Sequence, residues 1–168
     1  MPRSFDMAAT YECTAGQVLA AFSEKPYWLT RLEKSGCDET SLDVLETAAD
    51  GSIEVVTTQT VRPAKLPAVV TQFHRGDLTL RRVERWTAPV DGHSAGTIDG
   101  DLLGTPARVT ATVALADTAT GARADVHVTV EVKIPLVGGK LESFLGGQLV
   151  DLLRLEQVFT SNWIKDHG

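Results

Sequence analysis

Val126-His127-Val128-Thr129-Val130-Glu131-Val132-Lys133-Ile134 alternates apolar and polar residues without a break, meets Pro135 and Gly138-Gly139, and gives way to a helical period that lasts to Trp163-Ile164. Alternation predicts a strand with Val126, Val128, Val130, Val132 and Ile134 on its inner face and His127, Thr129, Glu131 and Lys133 on its outer face. In the stretch that follows, Leu141, Phe144, Leu145, Gln148, Leu149, Leu152, Leu155, Phe159 and Trp163 share one side at helical spacing. A strand with one apolar face, joined by a short turn to a helix with one apolar stripe, folds that helix back across its own sheet. At ~1.5 Å per residue the helix would run on the order of 40 Å, enough to cross a whole sheet. Phe144, Leu152 and Phe159 are therefore expected to be mostly buried against the strands near Val113 and Val130.

Working outward, residues 4–12 alternate with Phe5, Met7, Ala9 and Tyr11 on one face, which reads as a half-buried first strand. Thr14-Ala15-Gly16-Gln17 has the spacing of a capping box and starts a short helix. Pro26 suits the first turn of a second short helix that Gly36 ends. Strands are predicted over roughly 40–48, 52–62, 78–87, 95–103, 107–117 and 123–134, separated by turn signals such as Asp50-Gly51, Pro89-Val90-Asp91-Gly92 and Thr120-Gly121. Such short connections favour antiparallel neighbours. Segment 63–77 has two prolines and no clean period; it reads as an ordered loop or short helix whose Leu66, Val69, Val70 and Phe73 form an apolar lip.

The whole chain, residues 1–168, reads as one domain large enough to bury a core. A net charge of −6 with scattered basic residues offers no footprint for nucleic acid. Neither a secretory apolar region nor a membrane-spanning run is visible, so the expectation is a cytoplasmic protein, without stable membrane insertion, whose Cys13 and Cys37 are free thiols. The histidines are scattered and no metal-ligand or phosphate-loop spacing occurs, so no metal and no cofactor are expected. Without a nucleophile elbow, no residue is assigned a catalytic role.

The polar feature that stands out lies in residues 78–86. Parity puts Leu78, Leu80, Arg82, Glu84 and Trp86 on the more apolar face. That reading turns Arg82 and Glu84 toward the interior, where buried charges must be paired. A one-residue bulge or an edge location would turn both to solvent instead. If they face inward, Arg82 is suited to a ligand carboxylate or carbonyl, with Glu84 as counter-charge or acid/base group and Trp86 beside them. Tyr11, His74 and Asp99 are further titratable candidates. Gly146-Gly147, in mid-helix, marks either close approach of the helix to the sheet or space left for a ligand.

The order of strand, two small helices, antiparallel sheet and long C-terminal helix resembles the START-like (helix-grip) superfamily of polyketide cyclases, plant pathogenesis-related proteins and lipid-transfer domains. Ser4-Phe5-Asp6, Val83-Glu84-Arg85-Trp86 and Val132-Lys133-Ile134-Pro135-Leu136-Val137-Gly138-Gly139-Lys140-Leu141-Glu142 are similar to a branch of it whose function is undefined. The resemblance implies an α+β helix-grip fold: a curved antiparallel sheet of six or seven strands wrapped around the closing helix. It also implies binding or carriage of a hydrophobic small molecule (lipid, sterol-like or polyketide-like) between sheet and helix. No site residue is carried over from the superfamily; the strand and helix faces read above put the site at Arg82, Glu84, Trp86, Phe73, Phe144, Leu145, Gln148 and Leu152, with access near 63–77 and the 89–95 turn. A cyclase or aromatase and a protein-interaction module with a filled interior are the alternatives. A single cavity above roughly 300 Å³ separates the first two from the third.

Overall fold

The computed structural model describes residues 2–167. The chain runs β1 (Arg3–Tyr11), α1 (Ala15–Phe22), α2 (Lys25–Glu33), β2 (Glu39–Thr47), β3 (Ile53–Val61), a 3₁₀ turn (Pro63–Lys65), α3 (Ala68–Thr71), β4 (Leu78–Trp86), β5 (His93–Leu102), β6 (Ala107–Thr118), β7 (Gly121–Val132) and α4 (Gly138–His167). The strands form one antiparallel seven-stranded sheet in the order β1-β7-β6-β5-β4-β3-β2. The sheet with α4 laid against it is the α+β helix-grip arrangement. No described helix is long and apolar enough to cross a membrane.

Local chemistry accounts for the joints. The Gln17 N–H donates to Thr14 Oγ1 and the Thr14 N–H donates to Gln17 Oε1, closing the capping box of α1. Asp91 and Gly92 both have positive φ, matching the twist of the β4–β5 hairpin. β7 has the expected register: Val126, Val128, Val130 and Val132 are buried, and exposed His127 contacts Asp6 through Nδ1 at 2.7 Å.

α4 packs chiefly on β1 and β7, and its rotation differs from the expected stripe. A side chain at Gly146 would overlap the Phe5 ring, so this glycine lets the helix sit close over β1 there. Successive residues advance roughly 100° around a helix. Glu142, Leu149, Leu153, Gln157 and Thr160 therefore fall near the Gly146 direction, while Gln148 and Leu155 fall on the far side. Gln148 is exposed and Leu155 is 68% exposed, contrary to the stripe read from apolar spacing. Phe144, Leu152 and Phe159 are partly buried and none is exposed. The fully buried positions of α4 are Gly138, Leu141, Glu142 and Gly146 in its first third, and Thr160 further on. None lies between 147 and 159.

Candidate functional site

β4 carries the first two members of the site. It pairs with β3 and β5 without a register shift, so no bulge diverts it and alternation holds through its length. Arg82 and Glu84 consequently point inward and are 6% and 2% exposed. Trp86, next on the same face, lies over Gly96, where any side chain would overlap its ring. Its indole is centred 5.1 Å from the Phe22 ring, and its Nε1–H donates to Glu84 Oε1 at 3.4 Å.

α2 and α4 bring the remaining charges. Arg82 donates from Nη1 and Nη2 to the two oxygens of Glu156, both at 2.8 Å. Arg31 Nη2 lies 2.6 Å from Glu156 Oε1 and 3.7 Å from Glu84 Oε2. Arg82 Nε is 2.9 Å from Glu84 Oε2 but is not aligned for a hydrogen bond, leaving this buried N–H without a partner. Two cations and two anions thus balance in an apolar setting, the condition for holding charge there. A hydrogen-bonded chain extends the cluster. Arg31 Nη1 donates to the Tyr27 hydroxyl, Tyr27 and Thr160 share a 2.6 Å bond, and Thr160 donates back to the Glu156 carbonyl.

The electrostatics follow from this geometry. Burial by itself would raise the Glu156 carboxyl; Arg31 and Arg82 together outweigh it and bring it down to about 2. Burial likewise works against charge on Arg31 and Arg82, and their carboxylate partners, Glu156 foremost, more than compensate. Tyr11 and Tyr27 are pushed up by burial, so both hydroxyls keep their protons at neutral pH.

Four separate voids lie beneath α4. One of about 50 Å³ is bounded by Tyr11, Arg82, Glu84, Trp86 and Glu156. A second, about 100 Å³, reaches from Arg82 and Glu156 past Leu152 and Phe159 to exposed Lys34 and Leu155. A third, about 30 Å³, lies between Arg82 and Leu149, Leu152 and Leu153. The fourth, about 60 Å³, is a half-open hollow lined by Val70, Phe73, Leu141 and Leu145. The single cavity expected from the sequence is therefore divided, because Glu156 and the α4 leucines project into the space. A recess of about 680 Å³ opens elsewhere, lined by Glu46, Glu54, Arg85, Trp86 and Thr97 at the β2–β3 end of the sheet.

Among the sequence-predicted residues, Arg82, Glu84, Trp86 and Leu152 come together around three of these voids, and Phe73 meets Leu145 at the fourth. Phe144 lines none of the four, and Gln148 faces solvent. His74 bonds within its own turn to the Asp77 carbonyl, and Asp99 pairs outwardly with Arg108 at 3.6 Å. Arg31, Glu156, Tyr27 and Thr160 were missed. Glu156 had a signal: it lies seven residues after Leu149, an acid in line with an apolar row.

Comparison with solved structures reproduces the architecture at low sequence identity. A Thermus thermophilus protein aligns with a TM-score of 0.64 and 12% identity over 99% of both chains. Norcoclaurine synthase from Thalictrum flavum, in complex with dopamine and hydroxybenzaldehyde, aligns with a TM-score of 0.58 and 13% identity over 100% of this chain and 89% of its own. A START superfamily protein from Mycobacterium smegmatis aligns with a TM-score of 0.54 and 10% identity over 98% and 99%. At such identities the likeness shows the fold, which is START-like. By sequence, uncharacterized proteins of Mycobacterium tuberculosis and Mycobacterium bovis are 42% identical over 173 residues, covering 99% of each chain. The family model described as protein of unknown function (DUF2505) matches residues 6–164, and the chain belongs to that family.

Proposed function

We propose that the protein binds a hydrophobic small molecule in the space between the sheet and α4, with its polar end at Arg82. The observation that carries this reading is the way α4 is held. It has no fully buried residue between 147 and 159, and this stretch lies directly over three voids that share Arg82. Drug-sized ligands occupy roughly 300–1,000 Å³, so binding requires the middle of α4 to rise and merge those voids. The route in runs between the end of α2, α4 and the β3 floor at Thr57 and Gln59, where Lys34 and Leu155 are exposed. The norcoclaurine synthase structure bears on the reading only as an instance of this fold in complex with dopamine and hydroxybenzaldehyde.

A second reading, an interaction module with a filled interior, is favoured by the size of the voids, since none exceeds about 100 Å³ under α4. Calorimetric titration with 1-decanol, a neutral hydrophobe, separates the two. Binding predicts a saturable one-to-one complex with Kd on the order of 10 µM or tighter, and slowed amide exchange in residues 147–159. Heat that never saturates, with unchanged exchange, would overturn binding and leave the module.

A further inference from the structure

We infer that Glu156 occupies a carboxylate seat that a ligand's own acid takes over, so that the preferred ligands are amphipathic carboxylates and Glu156 acts as an internal competitor. This rests on the binding reading above.

Three features single out the seat. First, its geometry is bidentate: both oxygens of one carboxylate face the fork of Arg82, with Arg31 adding a third contact at 2.6 Å. That arrangement matches a planar carboxylate of any origin. Second, Glu84 is the permanent counter-ion and Glu156 the exchangeable one. Glu84 belongs to β4, an interior strand of the sheet, and its side chain is 3% exposed. Glu156 belongs to the stretch of α4 without a fully buried residue, and its side chain is 15% exposed. Raising α4 withdraws Glu156 and leaves Glu84 where it is.

Third, the seat without Glu156 holds two arginines against one carboxylate, with Arg82 Nε already lacking a partner. A buried excess of positive charge draws in an anion. The adjoining voids are lined by Phe22, Ile98, Val113, Leu149 and Leu153, which suit an alkyl or ring body. Carboxylate head and apolar body are thus each matched by what lies beside them.

The test compares decanoate with 1-decanol on the wild type and on Glu156→Gln. With the internal carboxylate neutralised, decanoate should bind roughly tenfold or more tightly than it binds the wild type, the scale of a charge-assisted hydrogen bond. Decanol, which needs the same helix raised but brings no carboxylate, should gain less, so the preference for decanoate over decanol widens. Equal gains for both ligands would mean only a loosened interior and would overturn the competitor role. No binding of either ligand to either protein would instead overturn the binding reading. The seat is tested without any ligand by Glu156→Ala. Sodium acetate should raise its melting temperature above the value in sodium chloride at equal ionic strength, and should leave the wild type unmoved. If Glu156→Ala does not fold in chloride, the comparison is made on Glu156→Gln. Absence of an acetate-specific gain in both variants overturns the seat.

Discussion

Arg82 on β4 and Glu156 on α4 are 74 residues apart and meet fork to fork, two hydrogen bonds of 2.8 Å joining an interior strand of the sheet to its covering helix. Few side chains of α4 between 147 and 159 are as deeply committed to the sheet as this acid. The same contact thus holds the helix down and fills the polar part of the space beneath it.

A thermodynamic cycle on the pair measures that hold. Removing one partner of a buried ion pair strands the other charge and costs about 3–5 kcal/mol. Arg82→Met and Glu156→Gln should each fall in that range by urea denaturation. The double variant leaves Arg31 opposite Glu84, a neutral remainder at 3.7 Å. It should therefore cost less than the two single losses together by roughly 2 kcal/mol. Strict additivity would show that the two side chains do not act as a unit.

The same carboxylate should make stability pH-dependent in a defined window. Its folded value, about 2, lies below the ordinary 4.5. A depressed carboxylate stabilises the fold fully above its unfolded pKa and loses that contribution as pH falls through the folded one. The contribution, on the order of 3 kcal/mol, should be complete above about pH 5 and gone near pH 2. Around Glu156, Arg31, Arg82 and the two raised tyrosines keep one charge state over that range. Glu84, the other carboxylate of the cluster, is common to wild type and variant, so their difference isolates Glu156. Glu156→Gln should flatten the acid limb of a melting-temperature profile by that amount. An unchanged limb would place the acid sensitivity on other carboxylates.

The strands were legible because a sheet with one buried face imposes a period of two that no other element shares, and Arg82 and Glu84 inherit their inward orientation from it. The existence of α4 was legible for the analogous reason, but its rotation was not. Hydrophobic spacing ranks Leu155 and Gln148 with the stripe because their neighbours are apolar, whereas the actual seat is decided by Gly146, which has no hydrophobicity to read. Glu156 and Arg31 were missed because a charge on a helix is ordinarily read as facing solvent. Only the pairing of four residues from three separate elements makes these two tenable inside. The volume under α4 depends on the same long-range packing and has no signature in any one segment.

The two mid-helix glycines should separate cleanly, since the sequence leaves them equivalent and the structure does not. Around Gly147 nothing lies within 4 Å of an added side chain, and the position is exposed. Gly147→Ala should therefore gain about 0.5–1 kcal/mol from helix propensity alone. Gly146→Ala has the same propensity gain available, but its methyl would overlap the Phe5 ring, and this overpacking should cost about 1–3 kcal/mol. Phe5→Ala removes the obstacle, so adding Gly146→Ala to it should carry no further penalty. Thermal melts of these four variants decide whether close approach at Gly146 sets how α4 sits. Equal effects of alanine at 146 and 147 would show that the helix is free to turn about its axis, and would remove the reason for Glu156 to face Arg82.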